Sequence, residues 1–222
     1  MATITGDKNR LLVFAAILAV GVLVVYPIMK KDPRLKIYNP SDVNPKLVDE
    51  SVRGNELEHS VAEFELYSQE GDTIRLNDID GKIYVADFFF TTCGNICPKM
   101  TTKMKGLHDF YLNDDDVMFV SHTVYPEIDS VPVLKTYAEK YEVNSDKWIM
   151  LTGAKEEIYS LARKSYFAVL TEGDGGERDF IHTENFVLLD KNQRIRGYYD
   201  GTLSEDMERL KKDIEILRLE YL

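Results

Sequence analysis

Cys93 and Cys97 are the only cysteines in this 222-residue chain, four positions apart in Thr91-Thr92-Cys93-Gly94-Asn95-Ile96-Cys97-Pro98. Such a pair can staple the chain, exchange disulfides or hold a metal. The staple is the weakest of the three, because a loop this short removes little freedom from the unfolded chain when it closes. Disulfide oxidoreductases commonly use Cys-x-x-Cys, whereas here three residues intervene. On a helical turn, the wider spacing places both thiols on one face, where they can share a guest. Two soft thiolates favour Cu(I), and an added imidazole extends the site to Cu(II). Structural zinc would need four protein ligands, more than two cysteines supply.

An imidazole partner has four candidates. His59 lies in a polar approach to a hairpin and is expected to be exposed. His108 follows Leu107 in the helix after the cysteines and reads as a surface or half-buried residue. His122 sits in the strand pattern "FVSHTV" and reads as a satisfied sheet histidine, within possible reach of the site. His182 stands in "RDFIHTENFVLLD", after a "TEGDGGE" stretch expected to be flexible. Taken singly, each is more often structural than functional, and spacing does not choose among them. Asp87, in "VADFFF", reads either as a buried carboxylate near the thiols or as a strand-end surface residue.

The elements that must position these groups are legible in the pattern. "AEFELYSQEGDTIRL" alternates, turns at Gly71-Asp72 and alternates again, predicting a hairpin. Ile83–Phe90 ("IYVADFFF") is a near-continuous apolar run, the pattern of a strand buried on both faces. Both cysteines follow its C-terminal end. Met100, Met104, Leu107 and Tyr111 predict a helix over Pro98–Leu112, with Pro98 in its first turn. Another strand follows in "DVMFVSHTV", then a helix over Pro132–Tyr141, a strand over Trp148–Leu151 and a helix over Ala154–Lys164. Phe186–Leu189 and Arg194–Tyr199 form a second hairpin, and Met207, Leu210, Ile214, Leu217 and Tyr221 mark a closing amphipathic helix. This alternation implies an α/β domain with a central mixed sheet flanked by helices. Thiols at the mouth of a central strand, leading into a helix, would gain thiolate stabilisation from the helix N-terminus.

Composition is globular, with 44% hydrophobic and 29% charged residues. The net charge of -11 argues against a nucleic-acid partner, because phosphate binding needs clustered Lys and Arg. Leu11–Met29 carries no charge, and as a helix of 1.5 Å per residue it spans about 28 Å, enough for one transmembrane anchor. The rival is a cleaved signal peptide ending near Ala19-Val20-Gly21, although the apolar run continues past it. The expected organisation is a tail over 1–10, an anchor over 11–29, a tether or wrapping segment over 30–57 and a domain over 58–222. Lys8 and Arg10 precede the span, whereas Lys30, Lys31, Arg34 and Lys36 follow it. By itself this charge bias favours a cytoplasmic domain.

"VADFFFTTCGNICPKMTTKM" resembles the signature of the Sco (SenC) family, which pairs an aromatic strand and Cys-x-x-x-Cys-Pro with one distant histidine. "GYYDGT" after the last hairpin strand and the single N-terminal anchor are also similar to that family. The resemblance covers roughly residues 60–222 and implies a thioredoxin-like fold. It implies copper ligation by Cys93, Cys97 and His182, the last 85 residues beyond Cys97. It further implies a metallochaperone role in building the binuclear copper centre of cytochrome c oxidase, whose subunit would be the partner. A copper donor or a thioredoxin-like reductant would be further partners. The domain would then stand on the extracytoplasmic (periplasmic) side, against the charge bias. One rival is a thiol–disulfide oxidoreductase that uses Cys93 and Cys97 to keep the oxidase cysteines reduced. Another is a peroxide-sensing or peroxiredoxin-like thiol enzyme, but this chain shows no Thr-x-x-Cys context with an Arg partner. The chain departs from the family pattern at Tyr125-Pro126-Glu127-Ile128-Asp129, where Tyr125 replaces a carboxylate. No proline immediately precedes the final hairpin, and His182 occupies that neighbourhood.

Overall fold

A computed structural model of the chain describes residues 10, 12–22, 34–43, 50, 59–169 and 181–222. The chain divides into two compact units between Arg34 and Leu35. In the first, residues 10 and 12–22 are helical. Among the described residues no helix is long and apolar enough to cross a membrane. Much of the expected anchor, most of the tether and the "TEGDGGE" stretch lie outside the described residues.

The second unit is built on a seven-stranded mixed sheet of order β2-β1-β5-β4-β3-β6-β7. Strands β3 (Ile83–Phe89), β4 (Val117–Thr123) and β5 (Trp148–Thr152) are buried at every position, as their largely apolar runs predict. They pair in parallel, with Phe88 opposite His122 and Asp87 opposite Ser121. The expected N-terminal hairpin forms as β1 (Glu65–Ser68) and β2 (Thr73–Arg75), and β1 joins the sheet antiparallel to β5. Gly71 turns that hairpin at φ +91°, a conformation open to glycine. The closing hairpin, β6 (Asn185–Leu189) and β7 (Ile195–Asp200), adds antiparallel to β3. This is the thioredoxin-like arrangement that the family resemblance implies.

Alternating strand residues feed two cores. Tyr84, Ala86 and Phe88 face one core, and Ile83, Val85 and Phe89 face the other. Three helices close the second core. Helix α1 (Ile96–Phe110) contributes Met100, Met104 and Leu107; α2 (Val131–Lys140) contributes Leu134 and Tyr137; and α4 (Ser204–Glu220) contributes Leu210 and Ile214. The helix expected over Ala154–Lys164 departs from expectation. Helix α3 ends after Lys155–Ser160, and Leu161–Ser165 widens into a π turn in which Tyr166 N–H donates to Leu161 O at 2.9 Å. The wider turn drives Tyr166, Phe167 and Ala168 into the first core, so packing overrides the helical period.

Residues of the expected tether belong to this body. Tyr38 N–H donates to Ile195 O at 2.9 Å along the β7 edge. Buried Arg196 donates to Leu35 O at 2.7 Å and Lys36 O at 3.2 Å while pairing with Asp190 and Glu220.

Candidate functional site

Strand β3 is the most enclosed element of the sheet, and its exit carries the thiols. Cys93 N–H closes a turn onto Phe90 O at 3.3 Å, and the helix begins at Ile96, earlier than the sequence pattern predicts. Asn95 precedes that helix without a side-chain capping bond. The Cys93 sulfur takes the capping place, accepting Cys97 N–H at 3.4 Å. The capping donor follows from the fold of the loop, not from a Ser, Thr or Asp that a reader of the sequence would seek.

Both thiols are free, and they are unlike. Cys93 is half-buried and Cys97 is 6% exposed. Burial opposes ionisation of Cys93, but the Asn95 and Cys97 main chain, the Cys97 thiol and the Ile96 main chain outweigh it. Its pKa therefore lies below the ordinary thiol value. Burial pushes the Cys97 thiol up to about 12, with nearby Cys93 and Asp87 adding to the rise and the Phe90 main chain opposing it. Asp87 is the buried carboxylate of the two readings. Burial raises it to about 7 while the Ser121 hydroxyl, which donates to it, pulls the other way. Ser121 Oγ in turn accepts Trp148 Nε1–H at 2.8 Å.

A cavity of about 280 Å³ opens at this mouth, lined by Cys93, Cys97 and His182 among apolar walls that include Phe88, Phe90 and Val124. His182 is exposed, on the short segment between buried Ile181 and β6, and its ring meets Phe90 edge-on at 6.1 Å. The structure thus brings Cys93 and Cys97 together and sets His182 on the rim of the same cavity. Among the described residues no three His, Cys, Asp or Glu side chains stand close enough to hold a metal ion as they are.

The remaining histidines belong elsewhere. His59, expected to be exposed, is half-buried. Its Nε2 meets Ser165 O at 2.7 Å, its ring lies 4.4 Å from that of Phe167, and burial lowers its pKa. His108 is buried, its Nε2 accepting Asn144 N–H at 3.2 Å and its Nδ1 meeting Asp109 at 2.8 Å. His122 differs from the expected satisfied sheet histidine. It is 0% exposed and stacked on Phe88 at 5.0 Å, and neither ring nitrogen has a hydrogen-bond partner among the described residues. Burial, opposed more weakly by the Asp87 main chain, lowers its pKa to about 4 and keeps it neutral.

Sequence reasoning missed one further group. Asp129, 0% exposed, accepts hydrogen bonds from Thr91 N–H at 3.0 Å and from the hydroxyls of Thr91 and Thr123. Thr91 and Asp129 are 38 positions apart, so no local pattern joins them.

Residues 52–217 match the family model described as SCO1/SenC. The chain is 32% identical over 161 residues to a SCO1 protein homolog of Bacillus subtilis, covering 72% of this chain and 83% of the relative. It is similar to the solved structure of BsSco, a member of the Sco family of cytochrome c oxidase assembly proteins in which a disulfide switch was identified. That likeness has a TM-score of 0.62 and 31% identity, covering 73% of this chain and 95% of the other. Arabidopsis thaliana ScoI, solved with copper bound, is 26% identical with a TM-score of 0.57, covering 71% of this chain and 98% of that one.

Proposed function

The chain belongs to the SCO1/SenC family, and from that premise we propose that it is a membrane-anchored copper metallochaperone. Its cargo is a copper ion held by the Cys93 and Cys97 thiolates and the His182 imidazole. The recipient is the cytochrome c oxidase subunit that carries the binuclear copper centre. The observation that carries this reading is one cavity lined by two free thiols, four residues apart, and an exposed imidazole. The donor set fits the ion, because thiolates are soft ligands and imidazole accepts either copper oxidation state. Thiols must lose their protons to bind metal, so copper uptake releases protons and weakens in acid. The copper-bound Arabidopsis protein and the oxidase-assembly role of BsSco support the assignment.

The placement follows the same reading. Residues 11–29 are the anchor, and the domain stands on the extracytoplasmic side, where the oxidase copper centre is assembled. The apolar, uncharged character of 11–29 supports the anchor.

A second reading has its own observation, the unequal thiols. Cys93 ionises more readily and is more exposed, whereas Cys97 is buried and held protonated. That division suits a thiol–disulfide reductase. The Cys93 thiolate would attack a partner disulfide and form a mixed disulfide. Cys97, giving up its proton, would then displace the partner dithiol and leave a Cys93–Cys97 disulfide.

His182→Ala separates the two readings. The metallochaperone reading expects about a hundredfold weaker copper binding, ~2.7 kcal/mol, with Cys93–Cys97 disulfide formation unchanged. If the variant binds copper as tightly as the parent, His182 is not a ligand. If it fully restores oxidase activity in a deletion strain despite weaker binding, thiol reduction is the main function.

A further inference from the structure

We propose that Asp129 is a positioning residue: it latches the turn after β4 to Thr91 and thereby holds Cys93 in place opposite Cys97. The copper readout below rests on the function proposed above; the disulfide readout does not.

The case starts from cost. A carboxylate with no solvent exposure is expensive, and among the described residues Asp129 makes no ion pair. What it has are donors converging from two elements. Thr91 N–H reaches Oδ2 at 3.0 Å, the Thr91 hydroxyl reaches Oδ1, and the Thr123 hydroxyl reaches Oδ2. Three donors satisfy both oxygens of one buried side chain, as a buried polar group requires. Asp129 itself is held by its own turn, where its N–H donates to Tyr125 O at 2.9 Å. Thr123 Oγ1 accepts Tyr125 N–H at 3.0 Å, closing the same turn from the strand side.

The receiving end lies next to the chemistry. The hydrogen bond from Cys93 N–H to Phe90 O makes Thr91 the first central residue of a four-residue turn that ends at Cys93. Both polar groups of Thr91 that could wander, its amide and its hydroxyl, are tied to one carboxylate. One strand position earlier, Val124 N–H donates to Phe89 O at 2.8 Å, so the β3 and β4 exits are clamped side by side. With this path fixed, the Cys93 sulfur lies where it caps α1 and faces Cys97. Without the latch the turn gains freedom, and the effective concentration of one thiol toward the other falls.

The test uses the full chain carrying Thr91→Val, which keeps the shape and loses the hydroxyl, and Thr91→Ser, which keeps the hydroxyl. Asp129→Asn is a third variant, and Ile214→Val, in the α4 core, matches a general stability loss. Two quantities are read: the equilibrium constant for the Cys93–Cys97 disulfide against glutathione, and the affinity of the reduced chain for copper alone. Thr91→Val and Asp129→Asn are expected to lower the disulfide constant tenfold or more, a shift of about 30 mV, and copper affinity by a similar factor. Thr91→Ser and Ile214→Val are expected to stay within about twofold of the parent. Should Asp129→Asn fail to fold, the Thr91 pair still decides. The latch is overturned if Thr91→Val keeps the parental disulfide constant, if Thr91→Ser falls with it, or if Ile214→Val falls equally. If the parent takes up no copper while the disulfide constant behaves as expected, the copper reading fails and the latch stands.

Discussion

Two buried carboxylates, Asp129 at the thiol mouth and Asp190 at the far hairpin, are held by opposite means. Asp190 is fully buried between Arg194 at 3.0 Å and Arg196 at 2.8 Å, and Arg196 also pairs with Glu220 and grips the Leu35–Lys36 carbonyls. Burial would raise Asp190, but its bonds to Arg194 and Arg196 outweigh this and leave it below its ordinary value. Asp129 is held by an amide and two hydroxyls. The charge-paired clasp fastens the chain entering the domain, so its loss should appear as stability. The latch, made with an amide and two hydroxyls, fixes a turn, so its loss should appear in the thiols.

The largest effect that can break this comparison is at the clasp. Arg196→Ala leaves Asp190 with Arg194 as its one paired cation, removes the Glu220 ion pair and frees two carbonyls, and should cost about 3–5 kcal/mol in urea unfolding. The Cys93–Cys97 disulfide equilibrium should remain parental. A matching loss at the thiols would show that the two regions are not separable.

Asp87 sharpens the contrast, because it is a buried carboxylate with neither clasp nor latch. Its pKa in the fold, about 7, lies above the ordinary 3.8. Between those values the folded chain keeps a proton that the unfolded chain releases, so stability declines as pH rises through the window. Asp87→Asn removes that decline. Unfolding should be nearly parental near pH 4 and more stable by as much as about 4 kcal/mol at pH 8. A variant equally stable relative to the parent at both pH values would contradict the buried, proton-holding assignment.

Much of this arrangement could be read from residue order, because it is local. The near-continuous apolar run over Ile83–Phe90 forms β3, and Met100, Met104 and Leu107 form the buried face of α1, with Tyr111 at its C-terminal cap. Cys93 and Cys97 meet because the short loop before α1 folds the Cys93 sulfur back onto the first turn of that helix, which carries Cys97. What stayed illegible depends on contacts between distant segments. The π turn at Leu161–Ser165 arises from packing of Tyr166 and Phe167, and the half-burial of His59 from Ser165 and Phe167. His122 looked like a residue that a sheet would satisfy, yet its ring is enclosed by those of Phe64, Phe88 and Tyr166. Asp129 was visible only as one letter of a motif. Its partners come from two other elements, and no periodicity encodes them.

The smallest effect lies at the base of the site. Thr101 Oγ1 donates to Cys97 O at 2.8 Å and meets Tyr137 Oη at 2.8 Å, bracing the first turn of α1 against α2. Thr101→Val should cost about 1 kcal/mol of stability, measured by thermal or urea unfolding, with the disulfide constant within about twofold. A large shift in that constant would extend the positioning role beyond Asp129 and Thr91.

Copper titration of the reduced full chain, followed by X-ray absorption, tests the central claim most directly. The account predicts uptake of one copper per chain, with two sulfur neighbours and one nitrogen neighbour, the nitrogen being lost in His182→Ala. No uptake by the reduced parent at stoichiometric metal, or a first shell without sulfur, would contradict it.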